Sequence, residues 1–308
     1  MAIDTNGAWS IAKVASLSRL LVISLAVASD HLLADHAAQG VLVVPFAANC
    51  HLAPFLRAFT RWDSAHFLNV AQHGWQHEWS HAFFPLYPLA MRAISRLLSF
   101  LSPPLCPQEQ LVLAGVLISN VAFVVAACCL HGLGKKMLGD AQHARSAALL
   151  FCAAPASIFF STLYSESLYA ATTLGGLYLL ECGQPWRASA SLALATACRA
   201  NGVLNALPML YHGGHRLASL QLPGGHFGYT SGRVIGGRFR RGKKGATWAV
   251  SLGAAVGLIG RLGLVVAPYV IWQVAGYLRF CHGARPTHEP SPTPLEGLGG
   301  EPLRCLRG

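Results

Sequence analysis

Seven apolar segments recur along the chain, separated by shorter polar stretches. Each approaches the roughly 20 apolar residues that cross a bilayer core as an α-helix. The segments are Ile11–Leu33, Phe83–Leu101, Leu111–Leu130, Ser146–Leu163, Tyr164–Leu180, Ala188–Tyr211 and Ala246–Tyr277. The six after the first contain Pro or Gly, so some are expected to be broken or re-entrant helices. The pattern predicts an all-α fold, a polytopic transmembrane helical bundle.

The basic residues between these segments predict which loops face the cytosol. Residues 212–245 carry seven Lys and Arg and no acid, and Lys135, Lys136 and Arg145 mark the 131–145 loop in the same way. Cytosolic loops are enriched in Lys and Arg. Strict alternation cannot combine both loops with a cytosolic N-terminus and an Arg61–His81 loop on the opposite side. One apolar segment is therefore expected not to span.

Composition supports a membrane protein, with 53% hydrophobic and 11% charged residues and a mean hydropathy of +0.44. The net charge of +11 is explained by the basic loops and by anionic lipid, and no groove-reading motif favours nucleic acid as a partner. The nine cysteines form no CxxC pair and fall mostly inside apolar runs, so neither a disulfide framework nor a zinc site is expected. The Pro- and Gly-rich residues 281–308 are expected to be a disordered tail.

The polar stretch from Arg61 to Pro88 contains the only two acids between Asp35 and Glu109, which are Asp63 and Glu78. Asp63 follows Trp62 at the predicted start of an amphipathic helix, where a partly desolvated carboxylate can act as a general base. Alternatively, Asp63 caps that helix and Trp62 anchors it in the membrane interface. The residues alone leave both interpretations open.

Histidines four residues apart in the same stretch, His73, His77 and His81, suggest one helical face of metal ligands. Gly74 interrupts that helix and no carboxylate completes the set, so no metal site is expected. Further along the chain, Glu166 is the single charged residue of the apolar run 146–180, and it either marks a tight turn or lines a cavity. Arg199 could bind a phosphate or extend toward the lipid headgroups from a helix end.

Several ordered motifs resemble one family. Trp62-Asp63-x-x-His66-Phe67, Ala71-x-x-Gly74-Trp75-x-x-Glu78 and Ala82-Phe83-Phe84-Pro85-x-x-Pro88 resemble the first luminal loop of GPI mannosyltransferase II, the PIG-V type. Asp35-His36, Phe151-Cys152-x-x-Pro155-Ala156, Tyr164-Ser165-Glu166-Ser167-Leu168, Arg199-x-Asn201-Gly202 and Phe280-Cys281 resemble the same family in the same order. The resemblance runs from about Ser18 to Cys281.

This resemblance implies a GT-C type glycosyltransferase of the endoplasmic reticulum membrane, formed by residues 1–280, with a luminal loop at about 34–82. It implies transfer of a mannose from dolichyl phosphate mannose, with inversion, to the first mannose of a GPI-anchor precursor in α1,6 linkage. Asp63 is carried over as the base, and Glu78 as its support or as the residue that orients the acceptor. Trp62, His66, Glu166, Arg199 and Asn201 would bind substrate, with Arg199 on the donor phosphate. No cofactor is implied; metal dependence and an accessory membrane subunit stay open.

The sequence also departs from the family. Members continue past the Phe-Cys landmark through a luminal Pro-Trp-Cys stretch and further spans, whereas here a low-complexity tail follows Cys281. A C-terminal truncation is therefore expected. The alternative function is a catalytically inactive membrane protein that acts as a lipid-binding or scaffold subunit. A transporter is less well matched, because its polar residues would be scattered through several spans.

Overall fold

The structure is a computed structural model that describes residues 5–33, 50, 54–101, 105–221 and 244–281. All regular structure in these ranges is helical, as the apolar pattern predicts. The α-helices are α1 (Thr5–Leu32), α2 (Pro54–Arg57), α3 (Asp63–His73), α4 (Leu86–Leu101), α5 (Pro107–Leu138), α6 (Ala141–Cys152), α7 (Glu166–Glu181), α8 (Pro185–Cys198), α9 (Ala206–Gln221) and α10 (Lys244–Phe280). Short 3₁₀ helices cover Glu78–Ala82, Ser157–Phe160 and Ala200–Asn205.

Three of the described helices are long and apolar enough to cross a membrane, within Gly7–Leu32, Pro107–Leu138 and Leu252–Phe280. The first two run antiparallel, because Ile11 near the start of α1 packs with Phe123 in the second half of α5. Val27, near the end of α1, belongs instead to the core around Leu111 at the start of α5. The C-terminus of α1 and the N-terminus of α5 therefore lie at one end of the bundle, which we call the site end.

The predicted span Phe83–Leu101 forms the 16-residue helix α4, which is not among the three long apolar helices. Its Tyr87 is fully buried, and the Tyr87 hydroxyl donates to the Gly115 carbonyl oxygen of α5 at 3.0 Å. Leu97 and Phe100, toward its other end, are exposed. This helix therefore packs along the N-terminal half of α5 at the site end.

The predicted span Ala188–Tyr211 is also different, because the chain breaks at Arg199 and reverses direction. Asn205 Nδ2 donates to Thr173 Oγ1 at 3.3 Å, and Met209 Sδ accepts from the Ser189 hydroxyl at 3.9 Å. The chain after Arg199 thus returns along α7 and α8 instead of continuing outward. Similarly, Ser146–Leu163 is broken, since α6 ends at Cys152 and only a 3₁₀ turn precedes α7.

The expectation of no disulfide is wrong for one pair. Cys50 and Cys106 are bonded, with their Cα atoms 5.7 Å apart across a sequence separation of 56 residues. Both lie in the part of the chain that links α1 to α5, and the antiparallel packing of these helices brings the two ends of that link together. Five described cysteines are free, and four of them are half-buried or buried inside helices, as the sequence indicates: Cys128, Cys129, Cys152 and Cys198. The Asp35-His36 motif, most of the basic 212–245 stretch and the predicted tail lie outside the described residues.

Candidate active site

Helix α3 begins at Asp63, directly after a residue in an unusual backbone conformation. Trp62 has φ 56° and ψ −134°, and it is the only described non-glycine residue with positive φ. Its indole is 81% exposed, so packing of the side chain does not account for this conformation. A non-glycine residue held there costs on the order of 1–3 kcal/mol, and such strain concentrates at functional sites. No side chain caps α3, so the structure does not support the helix-cap interpretation of Asp63.

Contacts on both sides hold this helix start in place. The backbone N–H of Asp63 donates to the Tyr164 hydroxyl oxygen at 3.1 Å. One turn further, the Phe67 ring packs edge-on against the Tyr87 ring, 5.2 Å between centroids. At the other end of α3, Arg92 donates to the carbonyl oxygens of Val70 and Ala71 and so satisfies two groups of the last turn. The Asp63 carboxylate therefore projects from a helix that is fixed at both ends.

A cavity of about 370 Å³ opens beside Asp63. Its walls come from the start of α3, the segment before α4, the start of α7 and the end of α8. The lining residues are Asp63, Phe67, Ala82, Phe83, Phe84, Tyr164, Ser165, Glu166, Cys198, Arg199, Ala200 and Asn201. Sequence positions that are more than 100 residues apart thus meet in one pocket that has aromatic walls and a few charged and polar side chains.

Glu166 and Arg199 form an ion pair in the wall of this cavity. Their side chains are about one-third exposed, at 29% and 37%. Arg199 Nη1 also lies 3.4 Å from the Ser165 hydroxyl oxygen. The structure thus brings Arg199 into the site, but its guanidinium already has a carboxylate partner. Its predicted role on the donor phosphate stays a prediction.

Gly202 fixes the position of the chain after Arg199. A Cβ atom at Gly202 would lie 2.5 Å from three backbone atoms of Ala195 and Thr196 in α8. The 3₁₀ turn can approach α8 this closely only without a side chain. Asn201, the preceding residue, is exposed and lines the cavity, and its predicted role in substrate binding stays a prediction.

The backbone between α6 and α7 is held by side chains of α5. Ser119 Oγ donates to the Thr162 carbonyl oxygen at 2.7 Å, and Asn120 Nδ2 donates to the Ser161 carbonyl oxygen at 3.2 Å. Non-helical backbone at membrane depth needs such partners. Tyr164, which ends this segment, is a site residue that the sequence did not single out by chemistry.

The remaining predicted site residues lie at the edge of this cavity or outside it. His66 stacks on Phe83 with 5.2 Å between ring centroids, and it also meets the edge of Trp79. Glu78 begins the 3₁₀ helix Glu78–Ala82, where it is exposed and does not line the cavity. The structure therefore separates the two acids of the loop and brings only Asp63 to the pocket.

The three histidines of the loop do not share a helical face. His73 ends α3 and bonds to Asn69, whereas His77 stacks on Trp79. His81 stacks on Trp272 of α10 with 4.2 Å between ring centroids. No group of three or more His, Cys, Asp or Glu that could hold a metal ion occurs within the described residues. Gly74 interrupts the helix as the sequence indicates, with φ 81°.

The fold and this site define a class of protein: an all-helical membrane protein with a carboxylate-bearing pocket at one end of its helical bundle. A family model described as Mannosyltransferase (PIG-V) matches residues 10–219. The chain therefore belongs to the PIG-V mannosyltransferase family.

Individual relatives agree with this assignment. GPI alpha-1,6-mannosyltransferase 2 of Mus musculus is 32% identical over 94% of this chain and 55% of its own length. The protein of the same name from Cricetulus griseus is 35% identical over 61% of this chain and 39% of its own length. The one from Homo sapiens is 37% identical over 49% of this chain and 30% of its own length. The chain thus spans about half or less of the length of these relatives. No solved structure matches it.

Proposed function

We propose that this chain carries the mannosyl-transfer centre of a GPI alpha-1,6-mannosyltransferase. The donor is dolichyl phosphate mannose, and the acceptor is the first mannose of a lipid-linked GPI precursor. The observation that carries the proposal is the position of Asp63 in a member of this family. Asp63 directly follows the strained residue Trp62, its backbone N–H donates to the Tyr164 hydroxyl oxygen, and it lines the pocket. The donor brings its own phosphate leaving group, so the proposed transfer uses no resident cofactor.

In the proposed reaction Asp63 is the general base. The acceptor hydroxyl oxygen bonds to the mannosyl C1 and its proton passes to the Asp63 carboxylate. The bond from C1 to the phosphate oxygen breaks, with its electron pair going to that oxygen, and the anomeric configuration inverts. The Glu166–Arg199 pair lies across the pocket and fixes the wall against which the sugar is oriented. Trp62 and His66 offer aromatic surfaces beside the base, and Asn201 offers an amide.

The test is Asp63→Asn, with Glu78→Gln as the matched control on the other acid of the loop. Because the chain spans about half of its mouse relative, both variants are made in a chimera in which this chain replaces its matching segment of the mouse protein. The chimera is expressed in cells that lack the endogenous enzyme. Loss of a general base lowers rates by roughly 10²–10⁴-fold. We expect Asp63→Asn to abolish surface GPI-anchored protein and to accumulate the single-mannose precursor.

The outcomes separate the candidate functions. If Asp63→Asn restores surface GPI-anchored protein as well as the unmutated chimera at equal abundance, Asp63 is not the base. If the unmutated chimera itself fails at normal abundance, the scaffold alternative is favoured over the enzyme. A loss for Glu78→Gln equal to that for Asp63→Asn would contradict the separation of the two acids in the structure.

We also propose that the site end faces the lumen of the endoplasmic reticulum. Helix α4 does not cross in this scheme, which makes it the one segment that fails to span. Five helices cross the membrane in this scheme: α1, α5, α7, α8 and α10. The two broken segments 141–165 and 200–221 also cross it, so that successive crossings alternate in direction. This scheme puts Lys135 and the 222–243 stretch on the cytosolic side, in agreement with the positive-inside rule.

The Cys50–Cys106 bond supports this orientation, because disulfides persist in the oxidising lumen and are rare in the cytosol. In sealed microsomes a membrane-impermeant reductant should leave this bond intact until detergent is added. Reduction of the bond without detergent would contradict the orientation.

A further inference from the structure

A second cavity of about 570 Å³ lies next to the candidate active site. It is a groove between the last three turns of α1 and the broken segment before α7, closed at one end by the residues before α3. Val22, Leu25, Ile158 and Phe159 contribute apolar walls. The groove shares Tyr164 with the pocket that holds Asp63. The two cavities are therefore neighbours, and the Tyr164 side chain lies between them.

The charged residues that line the groove neutralise each other. Arg61 Nη2 lies 2.8 Å from Asp30 Oδ1, and both residues line the groove. A further positive charge lies behind the wall, at Arg19. This residue is 2% exposed, and its guanidinium donates to the Ser157 carbonyl oxygen at 2.8 Å and to the Ser161 hydroxyl at 3.0 Å. It also donates to the Ser157 hydroxyl, which lines the groove.

Arg19 has hydrogen-bond acceptors but no carboxylate partner within the described ranges. Its guanidinium lies 3.7 Å from the centre of the Phe123 ring, and its Nε is buried with no hydrogen-bond partner. A buried charge without a counter-charge is costly, so an anion that comes close to Arg19 is attracted by it. The Ser157 hydroxyl links Arg19 to the groove, because it accepts from the guanidinium and Ser157 lines the groove. The groove is therefore an apolar channel whose wall favours an anion near its junction with the pocket.

The chemistry of the two lipid substrates decides which of them this arrangement suits, and this step rests on the proposed function. In a polyprenyl phosphate sugar the lipid phosphate is bonded directly to the reacting carbon. In the GPI precursor several sugars separate the reacting hydroxyl from the lipid. Only the donor can keep its reacting carbon beside Asp63 while its phosphate and chain occupy the adjoining groove.

We propose that the groove binds the polyprenyl phosphate part of the donor and that Arg19, acting through Ser157, is the positioning residue for its phosphate. The phosphate gains negative charge when the bond to C1 breaks, so a fixed positive charge behind the wall also favours the leaving group. This assigns to Arg19 the role that sequence position suggests for Arg199, whose charge Glu166 already balances.

The test is equilibrium binding of dolichyl phosphate to the full chain in nanodiscs, with uncharged dolichol and phosphatidic acid as comparison lipids. The variants are Arg19→Gln, Arg19→Lys and, as the matched control, Arg187→Gln, whose side chain is exposed at the start of α8 and bonds to Gln184. A unit charge about 6 Å from a phosphate at an effective dielectric constant of about 20 is worth on the order of a tenfold to hundredfold change in affinity. We expect the wild type to prefer dolichyl phosphate over dolichol by that factor. Arg19→Gln should abolish this preference, Arg19→Lys should keep most of it and Arg187→Gln should leave it nearly unchanged.

Three results would overturn the proposal. The first is a phosphate preference that survives in Arg19→Gln. The second is an equal loss in Arg19→Gln and Arg19→Lys with a matching fall in thermal stability, which would make Arg19 a structural anchor of the broken segment. The third is equal affinity for phosphatidic acid, which would indicate a general phospholipid site. The binding test involves no turnover, so its result does not depend on whether the chimera is active in the transfer assay.

Discussion

Replacing Gly202 with alanine should disturb the candidate site through the backbone. The added Cβ would lie 2.5 Å from the Ala195 carbonyl oxygen and from two backbone atoms of Thr196. Non-bonded carbon atoms prefer separations of about 3.5–4.0 Å, so the 3₁₀ turn must retreat from α8 by roughly 1 Å. No rotamer change relieves a contact between backbone atoms. Because Arg199 and Asn201 flank this turn and line the pocket, the retreat moves both of them.

Overpacking of this kind costs about 1–3 kcal/mol. For a domain of this size each kcal/mol lowers the melting temperature by roughly 2–4 °C, so we expect a decrease of roughly 2–12 °C. A displacement of about 1 Å near the chemistry can cost roughly 10²-fold in rate. The matched control is Gly214→Ala in α9, where nothing lies within 4 Å of the added atom. This control should be neutral or slightly stabilising, because alanine favours a helix more than glycine does.

The assay is thermal unfolding of a fluorescent fusion in detergent, together with transfer by the corresponding chimera. The reasoning fails if Gly202→Ala melts at or above the temperature of Gly214→Ala and keeps full transfer. It also fails in part if Gly202→Ala is destabilised but transfers normally, because the turn would then not position the pocket residues.

Two further predictions concern the contacts around the site. His81 packs against Trp272, and desolvation there lowers the pKa of its imidazole. Below about pH 6.5 the unfolded chain therefore binds a proton at His81 more readily than the folded chain does. The melting temperature should fall as the pH drops through this range. The variant His81→Phe should remove that dependence, and an unchanged pH profile would contradict the stacking. Glu166→Gln leaves the Arg199 guanidinium without its carboxylate and should lower stability by about 1 kcal/mol, given the partial exposure of the pair. A double-mutant cycle with Arg199→Gln that is strictly additive would show that the pair does not interact.

The sequence predicts the helical class, the start of α3 and the residues of the pocket better than it predicts the membrane spans. Asp63, Glu166 and Arg199 stand out because acids and arginines are rare in apolar sequence, and the structure brings all three to one cavity. Hydrophobicity alone does not report chain direction, so the reversal at Arg199 is hidden inside one continuous apolar run. Likewise, the Cys50–Cys106 pairing depends on which helix ends meet, and this is a property of packing.

The location of Glu78 shows the same limit in a loop. Its spacing from Asp63 suggests a pair of acids, but the glycine break after His73 turns the chain so that Glu78 faces outward. Arg19 is missed for a different reason. A lone arginine inside the first apolar segment gives no sign of its partners in the sequence, and only its burial against Ser157 and Phe123 reveals its environment.

The α7–α8 hairpin has a consequence for the tolerance of this chain to insertions and deletions. Glu166 and Arg199 are 33 residues apart and meet because two helices of matched length are joined by a short turn. One extra residue inside either helix would rotate its terminal side chain by about 100° and shift it by about 1.5 Å, which separates the pair. Length changes in natural variants that keep this pair should therefore fall in the turn around Gly183, where φ is 73° and nothing crowds the backbone. Aligned sequences can therefore be judged by whether each of the two helices keeps its own length, whatever the length of the turn between them.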